Sequence, residues 1–140
     1  MFKKIKYEDL NPRQQENYNF HTFAAKLAEY GYMSIPLNDD WNGADFLAIH
    51  VNGKDTLKVQ LKSRFCFHQK YIGNNLYIAF IHEDKFYIYL HDKTLEIATE
   101  LQKNTKISKV FTNTTSWKKD KKAYSWPNPP DWAKGLFHEL

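Results

Sequence analysis

Asp45, Gln60 and Lys62 are the residues of this 140-residue chain whose types and spacing could do chemistry. Gln60 and Lys62 stand two apart in "TLKVQLKSRF" (56–65), which reads as a β-strand. They therefore share a face with Lys58, while Val59 and Leu61 take the opposite, apolar face. Asp45 opens the preceding run "ADFLAIHV" (44–51), and the Asn52-Gly53 that follows is a hairpin signal. Pairing the two strands through that turn brings Asp45 to the Gln60–Lys62 end. Glu16 lies one helical turn before the apolar stripe Phe20, Phe23, Ala24 and Leu27. It either faces inward and packs across the same sheet or lies at the margin and reaches water.

Two carboxylates, an amide oxygen and an ammonium suit a hard cation acting on a phosphate ester. Mg²⁺ takes oxygen ligands in an octahedron and keeps several waters, so one or two carboxylates suffice. Asp45, the side-chain oxygen of Gln60 and the backbone carbonyl of Leu61 are the expected metal ligands, with Glu16 acting directly or through a water. The ion would acidify a bound water and neutralise charge on a phosphate oxygen. Lys62 would orient the attacking water and stabilise the pentacovalent transition state. The product would be a hydrolysed phosphodiester.

The elements that must hold these residues are legible along the chain. "NPRQQENYNFHTFAAKLAEYG" reads as a helix with Asn11 as its cap, Pro12 at its first position and Gly31 past its end. "YMSIPL" is a strand candidate, followed by the polar loop "NDDWNG" and the 44–51 and 56–65 hairpin. Residues 64–75 leave little room for a helix, and Phe65, Phe67 and Tyr71 suggest a continuation of the strand. "LYIAFIH" (76–82) and "FYIYL" (86–90) form a second hairpin. Asp92 can cap a helix through "KTLEIATELQK", with Leu95, Ala98 and Leu101 inward. "ISKVF" is a further short strand, and "DWAKGLFHEL" closes the chain as a short helix with Trp132, Leu136 and Leu140 aligned. The order implies an α/β (α+β) fold: a mixed sheet of about five strands, mostly antiparallel, flanked by helices.

Composition narrows the setting. The hydrophobic content of 42% and aromatic content of 16% suit one globular domain, and no apolar run approaches the ~20 residues that span a bilayer. The start "MFKKIKYED" has charges with no apolar run behind them, unlike a secretory signal. The single cysteine, Cys66, excludes an internal disulfide and reads as a buried apolar residue in a reducing, cytoplasmic setting. Between Lys103 and Lys122 there are seven lysines and one acid, Asp120. That stretch is either a solvated loop or a phosphate-backbone contact, and charge alone favours the loop. The six histidines lack metal-ligand spacing such as H-x-x-x-H. Trp126 and Trp132, with Trp117, either stack on bases or seal the core.

"GADF" followed by "VQLKS", with Glu16 upstream on a helix, resembles the PD-(D/E)XK nuclease superfamily, nearest its Q-x-K branch of Mrr-type restriction enzymes and some homing endonucleases. The resemblance covers about residues 11 to 103, with 104–140 as a lysine- and aromatic-rich C-terminal extension of the single domain. Glu16 takes the place of the helical acid, Asp45 of the motif aspartate, Gln60 of the second acid and Lys62 of the lysine. Ala44 stands where the family name has proline. The resemblance implies a restriction-endonuclease-like fold and a DNA endonuclease dependent on Mg²⁺, with Mn²⁺ as a substitute, cutting duplexes as a homodimer. Ser63 and Arg64 would touch DNA, and Lys118, Lys119, Lys121 and Lys122 would add backbone affinity. Similar triplets occur at Glu83-Asp84-Lys85 and Asp120-Lys121-Lys122, but in a turn and a lysine-rich loop rather than on a paired strand. The alternative is a nuclease-fold module that has lost catalysis, as Gln60 would allow, and binds DNA or a protein partner.

Overall fold

The computed structural model describes residues 1–101 and 123–140. Helix α1 (Pro12–Ala28) starts where its cap predicts. The Asn11 side chain accepts the Gln14 amide at 2.9 Å, and the Gln14 side chain accepts the Asn11 amide at 2.9 Å. This reciprocal cap is worth about 1 kcal/mol. Beyond α1 the chain lays down β1 (Tyr32–Trp41), β2 (Ala44–His50) and β3 (Thr56–Leu61) as an antiparallel meander. Then come β4 (Phe65–His68), β5 (Leu76–His82), β6 (Lys85–Leu90) and α2 (His91–Leu101). Strands β7 (Ala123–Trp126) and β8 (His138–Glu139) complete the described elements.

The main sheet has six strands in the order β1-β2-β3-β5-β6-β8, one more than the sequence suggests. Its β3–β5 pair is parallel and its other pairs are antiparallel. A parallel neighbour demands a crossover, and residues 62–75 make it. They are not a continuation of β3, because the strand stops at Leu61. Phe65, Cys66 and Phe67 are buried and belong to β4, which pairs with β7 in a separate two-stranded sheet. Burying these rings outweighs prolonging an exposed strand, at roughly 1.5–3 kcal/mol per large apolar side chain.

Each face of the main sheet has its own core. On one face α1 lays Phe23 and Leu27 against Phe46, Ala48, Val59, Ala79 and Ile88. On the other, the small sheet packs Phe65 and Phe67 against Ile78, Phe80 and Tyr89, with Leu95 and Ala98 of α2. Trp126 stacks on Phe65 with ring centres 5.0 Å apart, and Trp132 meets Trp126 edge-on, so both tryptophans seal this core. Ala44 of β2 and Leu37 of β1 also join this second core, whereas Met33 and Ile35 of β1 and Asp45 of β2 are exposed.

Three further expectations change. Leu101 is exposed, and Asp92 lies inside the first turn of α2 rather than before it. The chain ends not in a helix but in a 3-10 turn, Asp131–Ala133, and in β8, whose backbone extends the sheet beside β6. "ISKVF" and Trp117 lie outside the described residues. Among the described residues no helix is long and apolar enough to cross a membrane.

Candidate functional site

Register sets the site. The β2–β3 ladder pairs Leu47 with Lys58 and Phe46 with Val59, so the next step outward places Asp45 opposite Gln60. Phe46 and Val59 face α1, so alternation directs Asp45, which is exposed, and Gln60, which is half-buried, to the other face. At this end the strands part. The Lys62 amide donates to the Ala79 carbonyl of β5 at 2.9 Å, continuing the parallel ladder. The Leu61 amide turns to β2 and donates to Asp45 Oδ2 at 2.8 Å. A carboxylate thus replaces a backbone acceptor where the ladder opens, which fixes the Asp45 side chain against β3.

Gln60 lies half-buried, and its Nε2 donates to the Leu61 carbonyl at 3.2 Å. The two strand groups read from the sequence as metal ligands are therefore side by side. Lys62 is half-buried too, with Nζ 5.3 Å from the centre of the Tyr71 ring. Lys70 Nζ is 5.2 Å from the same ring. Tyr71 itself is buried, seated against Gly43 of the β1–β2 turn. Asn42 and Gly43 both have positive φ, 54° and 85°, as a two-residue hairpin turn between Trp41 and Ala44 requires. The turn places Asp45 two residues further on. A cavity of about 210 Å³ opens beside it, lined by Asn42, Gly43, Lys70, Tyr71 and Asn74.

Glu16 does not take the inward place expected of it. Its side chain is 72% exposed and pairs with Arg13 at 3.8 Å. Its helix covers the face opposite Asp45 and Gln60. The apolar stripe of α1 begins at Phe20, which meets Phe46 edge-on at 5.2 Å, and the preceding turns carry no buried residue. Among the described residues no three His, Cys, Asp or Glu side chains gather as a metal cluster. Ser63 and Arg64 are exposed directly after the site. Lys118, Lys119, Lys121 and Lys122 lie outside the described residues.

A second polar cluster holds the crossover in place. Buried His91 accepts the His68 amide at Nε2, 3.0 Å away, so Nδ1 carries the proton and donates to Asp92 Oδ1 at 2.8 Å. Asp92 Oδ2 accepts the Gly73 amide at 2.8 Å. Both ends of the Gln69–Tyr71 3-10 turn are thereby tied to α2. Burial pushes the His91 imidazole below its ordinary range, and the Asp92 carboxylate partly opposes this.

Sequence reasoning gave no part in the site to Trp41, Lys70 or Tyr71, and named Lys58 only as a neighbour on the strand face of Gln60. Lys58 Nζ lies 5.8 Å from the Trp41 ring centre, so two cation–aromatic pairs flank Asp45 and Gln60. The adjacent Lys70-Tyr71 and the tryptophan in "WNG" were the available signals. No protein-family model, curated protein or solved structure matches the chain.

Proposed function

We propose that this protein hydrolyses phosphodiester bonds in DNA with a divalent cation, as a nuclease of restriction-endonuclease-like architecture. The observation that carries the reading is the meeting of Asp45 and Gln60 at one open strand end, with Lys62 next on that face. A meander of three strands joined by a crossover to a parallel fourth, with a helix across one face, is compatible with it. The donor set fits Mg²⁺ or Mn²⁺: the Asp45 carboxylate, the Gln60 amide and the Leu61 carbonyl are hard oxygen donors beside solvent. The Gln60 amide must turn over to offer its oxygen in place of its nitrogen. When bound, the ion would acidify a water and neutralise phosphate charge.

The chain's own groups have distinct parts. Asp45 is held against β3 by the Leu61 amide. Lys62, packed on Tyr71, places a fixed positive charge where the phosphorane charge develops, and preorganised charge of this kind is worth most in a partly desolvated place. Cutting both strands of a duplex would take two copies of the chain. Asp45→Asn retains an acceptor for Leu61 and should preserve the fold, and Lys62→Ala removes the charge. Each is expected to lower Mg²⁺-dependent plasmid cleavage by about 100-fold or more. Cleavage at the wild-type rate by both would sink the assignment.

Glu16 favours a second reading. Its exposure leaves one carboxylate where the motif has more, and Gln60 adds no charge. A nuclease-fold module without catalysis would bind DNA or a protein partner in EDTA as well as in Mg²⁺, and would tolerate Asp45→Asn. Binding measured with and without the metal separates the two.

A further inference from the structure

We propose that Trp41 is a stacking platform for unpaired bases of a DNA single strand lying across the face that carries Asp45. This rests on DNA being the substrate, and adds which form of DNA the face accepts. Trp41 is 52% exposed, although tryptophan is usually the side chain a core most rewards. It pairs with Ala44 across the Asn42-Gly43 turn, beyond a register irregularity between Pro36 and Trp41. The ring is thereby presented to solvent beside a hairpin turn. Its ring contact among the described residues is the Lys58 ammonium, 5.8 Å from its centre.

Charge complements the ring. Lys58 and Lys62 stand on either side of Gln60 along the same strand direction, about 13 Å apart at 3.3 Å per residue. Lys70 adds a third ammonium at the Tyr71 ring, where the 210 Å³ cavity opens between Lys70 and the Asn42-Gly43 turn. Aromatic rings interleaved with lysines form the pattern that binds single strands, through stacking and phosphate neutralisation. An intact duplex already stacks its bases on one another and offers Trp41 no base face. A strand with unpaired bases does offer one, and a phosphate beside the stacked base reaches Lys58 or the cavity.

The test is fluorescence anisotropy of a labelled oligothymidylate and of a blunt duplex of equal length, with the full chain in EDTA so that nothing is cut. Trp41→Ala should weaken single-strand binding about 10- to 100-fold, and Trp41→Phe should restore most of it. Duplex binding should change less than about threefold, because its phosphate contacts remain. Equal losses on both ligands, or no loss on either, overturn the proposal. The outcome is separable from the catalytic reading. Cleavage that survives Trp41→Ala, with unchanged single-strand binding, removes the platform and leaves the nuclease. Tight single-strand binding through Trp41 by a chain that never cuts does the reverse, and a wild-type chain that binds no DNA removes both.

Discussion

Tyr89→Phe should cost this protein far more than one hydroxyl suggests. Tyr89 is fully buried on β6, and its Oη donates to the Cys66 carbonyl while accepting the Cys66 amide at 3.1 Å. Among the described residues strand β4 pairs with β7, and on its other side a single phenol serves both backbone groups of Cys66. The variant keeps the ring, whose packing against Phe65 and Phe67 is undisturbed, and opens almost no cavity. It leaves two buried backbone groups unpaired, at about 1–3 kcal/mol each, less the cost of burying the hydroxyl itself. A loss of about 3 kcal/mol follows, and a melting temperature lower by about 10 °C for a domain of this size. Burial drives the phenol's pKa well up, so the donor persists through neutral and mildly alkaline pH. Urea unfolding followed by circular dichroism measures the loss. The control lies on the same strand: Tyr87 reaches Glu139 at a marginal 3.5 Å near solvent, and Tyr87→Phe should cost under about 0.5 kcal/mol. If Tyr89→Phe costs no more than this control, the docking of the two sheets does not depend on that hydroxyl.

Gly43→Ala should destabilise by about 2–3 kcal/mol, combining positive-φ strain with a clash. A Cβ there would lie 2.8 Å from Leu76 Cδ1 and 3.2 Å from the Tyr71 ring. A melting curve like that of the wild type would refute the turn geometry. His91 predicts a pH dependence. Because burial lowers its folded pKa, its contribution is fully present above the ordinary value of 6.5 and is lost as pH falls through the folded value, where the unfolded chain binds more protons. Urea midpoints between about pH 5 and 8 should show that slope, and His91→Gln should flatten it. An identical slope in the variant would assign it to other groups. Gln60→Glu should bind Mg²⁺ more tightly than the wild type. Its melting temperature should therefore rise more on adding the metal, and equal rises in the two proteins would place the ion elsewhere.

Features determined by neighbours in the chain were legible beforehand. The Asn11–Pro12 start of α1, the 76–82 strand and the Asp45–Gln60 apposition follow from capping, alternation and a local hairpin. What escaped was decided by distant partners. Residues 65–68 are equally good as an extension of β3, and only the match to Ala123–Trp126 selects the second sheet. The final residues carry a helical spacing of apolar groups, yet β6 offers an open edge that takes His138 and Glu139 as a strand. Turn chemistry misled in a smaller way. Asn42-Gly43 makes the two-residue turn, whereas Asn52-Gly53 sits in a longer loop in which the Asn52 side chain accepts the Lys54 and Asp55 amides. Glu16 was misread because a stripe extended backward on paper has no limit, whereas the buried residues of α1 are Phe23 and Leu27, with Phe20 partly buried beside them.

The displacement of Glu16 alters what the site can ask of a metal. With a second carboxylate, an ion would meet a charge of −2 and bind before substrate. With Asp45 as the acid beside neutral Gln60, the protein offers −1, and a dication keeps most of its waters. Substrate phosphate then becomes the natural second anion, so metal and DNA would bind together rather than in sequence. The lysines would fit that order: Lys58 and Lys62 beside Gln60 would weaken an empty metal site but favour a phosphate that completed it. In this reading Gln60 does more than subtract charge from a familiar motif. It would make metal loading conditional on a strand already lying across the face it shares with Asp45.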